Sequence, residues 1–133
     1  MLQSRSTSRS EMFARSERLR EQRLAVYGEF AKVIMTYRRA EFVRWDSAHR
    51  QLPEAARLEA KAECYRIRAS AWHCLYQVDF LSDDPRLVDA ATRVLDITAD
   101  LHHAADDEDL RVRGVRVREE LRRFVEFGSA QVL

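Results

Sequence analysis

The sequence predicts an all-α protein, an up-down antiparallel bundle of four helices whose long first helix projects beyond the others. Three observations lead to this fold class. Glycine and proline are scarce, at three and two residues in 133, whereas a β-rich domain needs many tight turns built from them. Alanine, leucine, arginine and glutamate are abundant, and these residues favour helix. Apolar residues also recur at three- and four-residue steps along most of the chain.

The first helix is predicted from about Glu11 to His49. Two neighbouring apolar rows form the wide stripe of a helix that packs against two others. One row is Leu19, Val26, Phe30, Val33 and Tyr37, and the other is Tyr27, Ala31, Ile34, Phe42 and Trp45. Residues 1–10 are rich in serine and arginine, which predicts a flexible N-terminal arm. At 1.5 Å per residue the helix is about 60 Å long, so roughly its first dozen residues project beyond the bundle.

The second helix is predicted from about Glu54 to Leu81, because Pro53 breaks the first helix and suits the first turn of the next. Its predicted buried row repeats at three- and four-residue steps. That row is Leu58, Ala62, Tyr65, Ala69, Trp72 and Tyr76, with Cys64, Ala71, Leu75 and Val78 beside it. We therefore expect the aromatic side chains of this helix to lie in the core.

Capping signals bound the last two helices. Asp84 can accept a backbone N–H as an N-cap and Pro85 suits the first helical position, so the third helix runs from Pro85 to about Ala104. The fourth runs from about Asp107 to Phe127, and Gly128 is placed as the glycine that follows a helix end. Their buried rows are predicted to be Leu87, Val88, Ala91, Val94, Leu95, Thr98 and Leu101, and Leu110, Val117, Leu121 and Phe124. Residues 11–128 thus form one domain, and residues 129–133 form a C-terminal tail.

Charge is unevenly distributed, although the net charge is only +1. Residues 1–50 carry eleven basic and six acidic side chains, a net of +5, and residues 82–109 carry two basic and nine acidic, a net of −7. The near-zero total gives no general attraction to nucleic acid or an anionic membrane, and RSERLREQR alternates in sign as a solvated helix does. The sequence therefore argues against nucleic acid as a partner. No apolar run is long enough for a membrane span.

The leading functional prediction is a non-enzymatic protein-protein interaction or scaffold module without a cofactor. It is expected to form a homodimer and to bind a further protein partner. Its docking surfaces are the basic first helix and the acidic third helix, which can meet across a twofold axis. The predicted contact residues are Arg15, Arg18, Arg20 and Arg23 on the first helix, and Asp89, Asp96 and Asp100 on the third.

A metal-binding bundle is the alternative prediction, and it rests on the segment DITADLHHAADDEDL. Asp100 and His103 are three residues apart and share a helix face, as do Asp46 and His49. Both pairs fall at the C-terminal ends of parallel helices, and di-metal carboxylate bundles use comparable steps, so iron, manganese or zinc could bind there. Helix dipoles explain the same residues without a metal, because they favour histidine near C-termini and aspartate near N-termini.

The two cysteines, Cys64 and Cys74, are predicted to be free thiols. Ten residues along one helix separate them by about 15 Å, whereas a disulfide needs Cα atoms within about 7 Å. Free cysteines are usual in reducing compartments, so a cytoplasmic location is expected.

Three short patterns along the chain are shared by one group of proteins. The first helix carries an R-x-x-x-Y-x-x-F step, matched by Arg23, Tyr27 and Phe30. An apolar residue, a polar turn with proline and an A-A-x-x-L-like helix follow, and Phe124 marks the last helix. The residues that match the middle pattern are Leu81, Pro85, Ala90, Ala91 and Val94. Over about residues 20–127 the chain resembles uncharacterised helical-bundle proteins of actinobacteria, which implies the bundle fold and an actinobacterial source but no activity.

Overall fold

Four α-helices and one short turn of 3-10 helix form the protein in a computed structural model, which describes the backbone from Leu2 to Leu133 and the side chains from Ser6. The helices are α1, Leu2–His49; α2, Glu54–Leu81; α3, Pro85–Ala99; and α4, Asp107–Val132. The 3-10 turn, Leu101–His103, lies between α3 and α4. No strand occurs in this described part of the chain. The predicted all-α class is confirmed.

The helices alternate in direction. α1 and α3 each contact all the other helices, whereas α2 and α4 lie on opposite sides and share no contact among the described residues. At one end the Trp45 indole N–H donates to the Ala104 carbonyl oxygen at 2.9 Å, which joins the end of α1 to the segment just before α4. At the other end Arg23 Nε donates to the Leu81 carbonyl oxygen at 2.9 Å. These ties confirm the up-down antiparallel order.

The core is built from the inward rows of all four helices. Phe30 and Ile34 of α1 are completely buried, and the Phe30 ring packs on the Phe124 ring of α4 with centroids 4.7 Å apart. The rows predicted for α3 and α4 are largely confirmed. Their buried members are Leu87, Ala91, Val94, Leu95 and Thr98 in α3, and Val117, Leu121 and Phe124 in α4.

The buried face predicted for α2 is confirmed only in part. Cys64, Ala71, Leu75 and Val78 are buried, and Trp72 is half-buried against the core. Leu58, Tyr65 and Tyr76 of the predicted row are all exposed. The core side of α2 is instead a second row with the same spacing: Ala60, Cys64, Ile67, Ala71, Cys74 and Val78. Two residues along a helix correspond to a rotation of about 200°, so a row shifted by two positions lies on the opposite face. Periodicity within α2 fits either row equally well, and only packing against α1 and α3 distinguishes them.

The N-cap predicted for α3 is confirmed, and α4 has an N-cap of the same kind. The Asp84 side chain accepts the Arg86 N–H at 3.0 Å at the start of α3, with Pro85 as the first helical residue. The Asp106 side chain accepts the Asp109 N–H at 2.8 Å at the start of α4. These bonds satisfy backbone donors that have no partner within the first turn of a helix.

α1 begins at Leu2, earlier than the predicted start near Glu11. Its side chains from Ser6 to Phe13 are exposed. The flexibility predicted for residues 1–10 stays a prediction, and Met1 lies outside the described residues. Because Arg23 is level with the end of α2, residues 2–22 extend about 31 Å past the bundle at 1.5 Å per residue. We call residues 2–22 the projecting segment.

The prediction that Gly128 follows the end of α4 is wrong. Gly128 is buried inside the helix, which continues to Val132. A Cβ atom at Gly128 would lie 3.2 Å from Tyr27 Cδ2, so the missing side chain allows α4 to approach α1 closely. The residues predicted as a tail are therefore mostly the last turn of α4. There the Gln131 side chain accepts a hydrogen bond from Tyr27 Oη and donates one to Ser82 Oγ at 2.9 Å.

α3 also ends differently from the prediction, at Ala99 and not near Ala104. The His102 backbone N–H donates to the Glu41 side chain of α1 at 3.0 Å. A continuing α-helix would need that donor for the Thr98 carbonyl oxygen. The side chain from α1 therefore replaces the helical acceptor, and the chain forms the separate turn Leu101–His103.

Candidate functional site

The projecting segment carries an apolar row without a cover from its own bundle. Inside the bundle, Val26 and Val33 of α1 pack against the core. The row continues at seven-residue steps to Leu19 and Met12, which lie beyond Arg23. Met12 is 65% exposed and Leu19 36%. An apolar row at this spacing on a helix is typical of one that packs on a second helix.

The arginines predicted as contact residues divide into two groups. Arg15 and Arg18 are exposed and form no ion pair within the described part of the chain, and Arg20 pairs with Glu17 at 3.5 Å on the surface. Arg23 is half-buried. Besides its bond to α2 it lies 3.7 Å from Asp83, so it ties α1 to its own bundle. The first three arginines remain available to another molecule, while Arg23 is used within the chain.

The predicted acidic contacts all lie on the exposed face of α3 or just after it. Asp89 and Asp96 are exposed, and neither pairs with a described cation. Asp100 is also exposed, but its carboxylate lies 3.4 Å from His103 Nδ1. Between them, Arg93 pairs with Glu120 of α4 at 3.3 Å. The acidic face therefore contains one arginine, Arg93, whose charge is neutralised by Glu120. Asp89 and Asp96 provide the negative charge of this face that has no partner among the described residues.

The exposed face of α2 carries an aromatic and apolar row. The sequence predicted this row but we expected it to lie in the core. We call it the outer row, and it comprises Leu58, Ala62, Tyr65, Ala69, Trp72, Tyr76 and Phe80, of which Trp72 is half-buried and also packs against the core. Up to Tyr76 the steps alternate between four and three residues, which is the spacing of a coiled-coil seam. Phe80 is 87% exposed, and the Trp72 and Tyr76 rings lie 6.0 Å apart. Exposed apolar residues grouped in this way mark interaction sites on proteins.

The four residues of the predicted metal site do not come together as a ligand set. Asp46 forms an ion pair with Arg50 at 3.3 Å. The His49 ring stacks on the Trp45 ring with centroids 3.8 Å apart. Asp100 and His103 pair with each other, and no group of three or more histidine, cysteine, aspartate or glutamate side chains suited to a metal occurs among the described residues. The geometry gives the metal alternative no support.

A buried carboxylate near this end is the feature that sequence reasoning missed. The Glu41 side chain is completely buried, and one of its oxygens accepts from both His102 Nδ1, at 2.7 Å, and the His102 backbone N–H. The other oxygen, Oε1, has no hydrogen-bond partner in the described structure. The position of Glu41 in the sequence indicates its burial. It follows Tyr37 and precedes Trp45 at four-residue steps on the buried row of α1.

A cleft of about 220 Å³ opens beside this pair, between α1, α2 and the 3-10 turn. Tyr37, Arg44, Cys64 and His102 are among its lining residues. Burial, and then the negative charge of Glu41, raises the pKa of the Cys64 thiol to about 12. Burial likewise raises the pKa of the Tyr37 hydroxyl. A thiol that stays protonated at neutral pH is a poor nucleophile, so Cys64 serves packing here.

The other cysteine behaves similarly. Cys74 is buried and free, as is Cys64, which confirms the prediction of two free thiols. Burial raises the pKa of Cys74 above its ordinary value, with a smaller effect from the charge of Glu29. In the described part of the chain, none of the helices has a stretch apolar enough, over a sufficient length, to cross a membrane.

Comparison with protein families matches residues 24–132 to the family described as KilB plasmid transfer protein. The chain therefore belongs to this family. The matched residues include almost the whole bundle and leave out the projecting segment. The family has no assigned activity, which agrees with the resemblance to uncharacterised helical proteins, while the actinobacterial source stays a prediction. Neither the curated proteins nor the solved structures gave a match.

Proposed function

We propose that this member of the KilB plasmid transfer family is a non-enzymatic, self-associating scaffold that acts in plasmid transfer. It forms a homodimer through the projecting segment of α1, and the dimer binds a further protein of the transfer machinery. The proposal includes a cytoplasmic location, which the two free thiols support, and an actinobacterial source, which the sequence resemblance supports.

The observation that carries the proposal is the apolar row of α1 beyond Arg23. A helix this long with exposed Met12 and Leu19 gains little from its own chain, because isolated helices are only marginally stable in water. Packing on a second helix would bury both side chains. The projecting segment therefore has a physical reason to associate, and a second copy of the chain supplies the association without any other component.

Charge supports the same proposal. Arg15 and Arg18 have no ion pair with described residues of their own chain. Asp89 and Asp96, which lie on α3, have none either. Opposite charges left free on two surfaces favour the encounter of those surfaces. In the dimer, Arg15, Arg18 and Arg20 of each copy face the acidic α3 of the other, with Asp100 at the edge of that face. Arg23 keeps its role within the chain.

The absence of an activated thiol supports a non-enzymatic role. Both cysteines are buried, and burial raises the pKa of each. The histidine best placed for chemistry, His102, is held by Glu41 at the junction of α1 and the 3-10 turn, where the pair determines the course of the backbone. These residues account for packing and chain direction without a substrate.

Light scattering on the purified chain across a concentration series tests the proposal. The wild-type chain should have the molar mass of a dimer, and Met12→Lys with Leu19→Lys should have that of a monomer with unchanged helicity. Met35→Lys is the matched control, because Met35 is an exposed apolar residue of α1 on another face. A wild-type chain that remains monomeric at about 100 µM, a concentration well above the Kd of a stable dimer, would refute the proposal.

A further inference from the structure

We infer that the outer row of α2 is the surface that receives the projecting segment of the second copy, in a reciprocal twofold dimer. This inference rests on the proposed function, because it specifies where the projecting segment binds. It names the occupant of the outer row as residues 2–22 of another copy of this chain. Each copy then provides one projecting segment and one outer row.

α2 carries apolar residues on two opposite sides. Its inner row, from Ala60 to Val78, packs against α1 and α3, and the outer row has the same spacing on the opposite face. A helix with two apolar rows about 200° apart is suited to packing between two helices. α1 and α3 lie on the inner side of α2, and no helix of the described part of the chain covers the outer row, although Trp72 also contacts the core.

A twofold pair can bring the projecting segment of each copy to the outer row of the other. If two bundles meet end to end at the Leu81 end of α2, each projecting segment passes beside the α2 of the other copy. It lies on the side of that α2 away from that copy's own α1, which is the side of the outer row. Both copies satisfy this relation at once, so the contact is isologous and closes as a dimer.

The projecting segment and the outer row match in length and in the positions of their apolar residues. The projecting segment of about 31 Å covers about three quarters of α2, whose 28 residues span about 42 Å. Starting from the Leu81 end, Leu19 then falls near Tyr76 and Phe80 of the second copy. Met12, seven residues further out, falls near Ala69. Tyr76 and Phe80, the two most exposed aromatic residues of the outer row, thus meet Leu19, which lies near the bundle end of the projecting segment.

Charge complements this placement. Asp79 lies beside Tyr76 and Phe80, is exposed and forms no ion pair with a described residue. Asp83 follows at the end of α2, with its side chain 81% exposed even though it contacts Arg23. Arg18 and Arg20 flank Leu19 on the projecting segment. The arginines beside the apolar contact of one copy therefore face an acidic surface of the other, which begins at Asp79 and Asp83 and continues onto α3.

Disulfide trapping in mixed samples tests the inference directly. Chains carrying Leu19→Cys are mixed with chains carrying Phe80→Cys and oxidised, and the cross-linked heterodimer is quantified by mass. We expect efficient cross-linking, because a disulfide needs Cα atoms within about 7 Å. Leu19→Cys mixed with Val112→Cys, an exposed position on α4, is the control and should cross-link poorly. Equal yields in both mixtures would overturn the inference.

A second measurement separates this inference from the proposed function. Tyr76→Lys with Phe80→Lys should weaken dimerisation about tenfold or more, because aromatic residues at the centre of an interface carry much of its affinity. Val112→Lys with Val115→Lys on α4 should leave it unchanged. If the outer-row variant dimerises like the wild type while Leu19→Lys does not, the proposed function stands and the outer row is the wrong surface. If the wild type does not dimerise, both fail.

Discussion

Glu41 and His102 are joined by a 2.7 Å hydrogen bond although they are 61 positions apart in the sequence. The Glu41 side chain is completely buried, and it also accepts the His102 backbone N–H. A buried carboxylate is costly unless charged or polar partners surround it, and His102 supplies both contacts from one residue. The pair therefore fixes the turn after α3 to α1.

Glu41→Ala is expected to lower the free energy of unfolding by about 3 kcal/mol, because it removes one partner of a buried pair and leaves two His102 donors without an acceptor. Urea denaturation near neutral pH measures the loss. Glu63→Ala is the control, because it removes an exposed glutamate that pairs with Arg66 on the surface of α2, and it should change stability little. Similar losses in the two variants would show that the buried pair contributes nothing special.

Two helical glycines should respond in opposite ways to alanine. Gly28 is exposed, and a Cβ there would meet nothing within 4 Å, so Gly28→Ala should stabilise the protein by up to about 1 kcal/mol through helix propensity. At Gly114 a Cβ would lie 2.6 Å from Phe42 Cζ. Gly114→Ala must displace that ring from its contact with Arg38, and overpacking should outweigh propensity by about 1 kcal/mol. Thermal unfolding measures both, and a stabilised Gly114→Ala would contradict the packing described.

Stability should fall in alkaline solution because of Cys64. Its thiol has a pKa of about 12 in the folded protein, against an ordinary value of 9.0. Below about pH 9 the thiol is protonated in both states and has no effect. Between about pH 9 and pH 12 it ionises only in the unfolded chain, which favours unfolding. The raised pKa of Tyr37 acts in the same direction above its ordinary value of 10.0.

Urea midpoints at about pH 8 and about pH 10.5 measure this effect. The wild type should lose stability between the two, and Cys64→Ala should lose less but not nothing, since the contributions of Tyr37 and Cys74 remain. Cys64 should also react slowly with thiol reagents in the folded protein and rapidly once it is unfolded. An identical alkaline loss in Cys64→Ala would assign the effect to other groups.

Charge reversal should separate the electrostatic part of self-association. Arg15→Glu with Arg18→Glu is expected to weaken the dimer about tenfold, since acids would then face the acidic α3 of the second copy. Adding Asp89→Arg and Asp96→Arg should restore much of the affinity. Sedimentation velocity measures the dissociation constants, and Arg122→Glu with Arg123→Glu on the exposed surface of α4 is the control. A failure of the second pair to rescue would remove these aspartates from the interface.

Local sequence determined where α2, α3 and α4 begin and where α1 and α2 end. Pro53 separates α1 from α2, and Asp84 with Pro85 starts α3, because proline and a capping carboxylate act on backbone groups only a few residues away. Scarce glycine and proline, together with the helical period, were sufficient for the all-α class. The projection of α1 followed from its length relative to α3 and α4. These features depend on interactions within a few turns of helix, which the sequence displays directly.

Tertiary structure decided what local pattern left open. α2 carries two apolar rows of equal spacing, and contact with α1 and α3 determined that the row with Cys64 faces inward and the row with Tyr76 outward. The Glu41 side chain ended α3 early by taking the His102 N–H, and close approach to Tyr27 placed Gly128 inside α4 instead of after it. Each outcome depends on residues distant in sequence that meet only when the helices pack, so no local pattern could contain it.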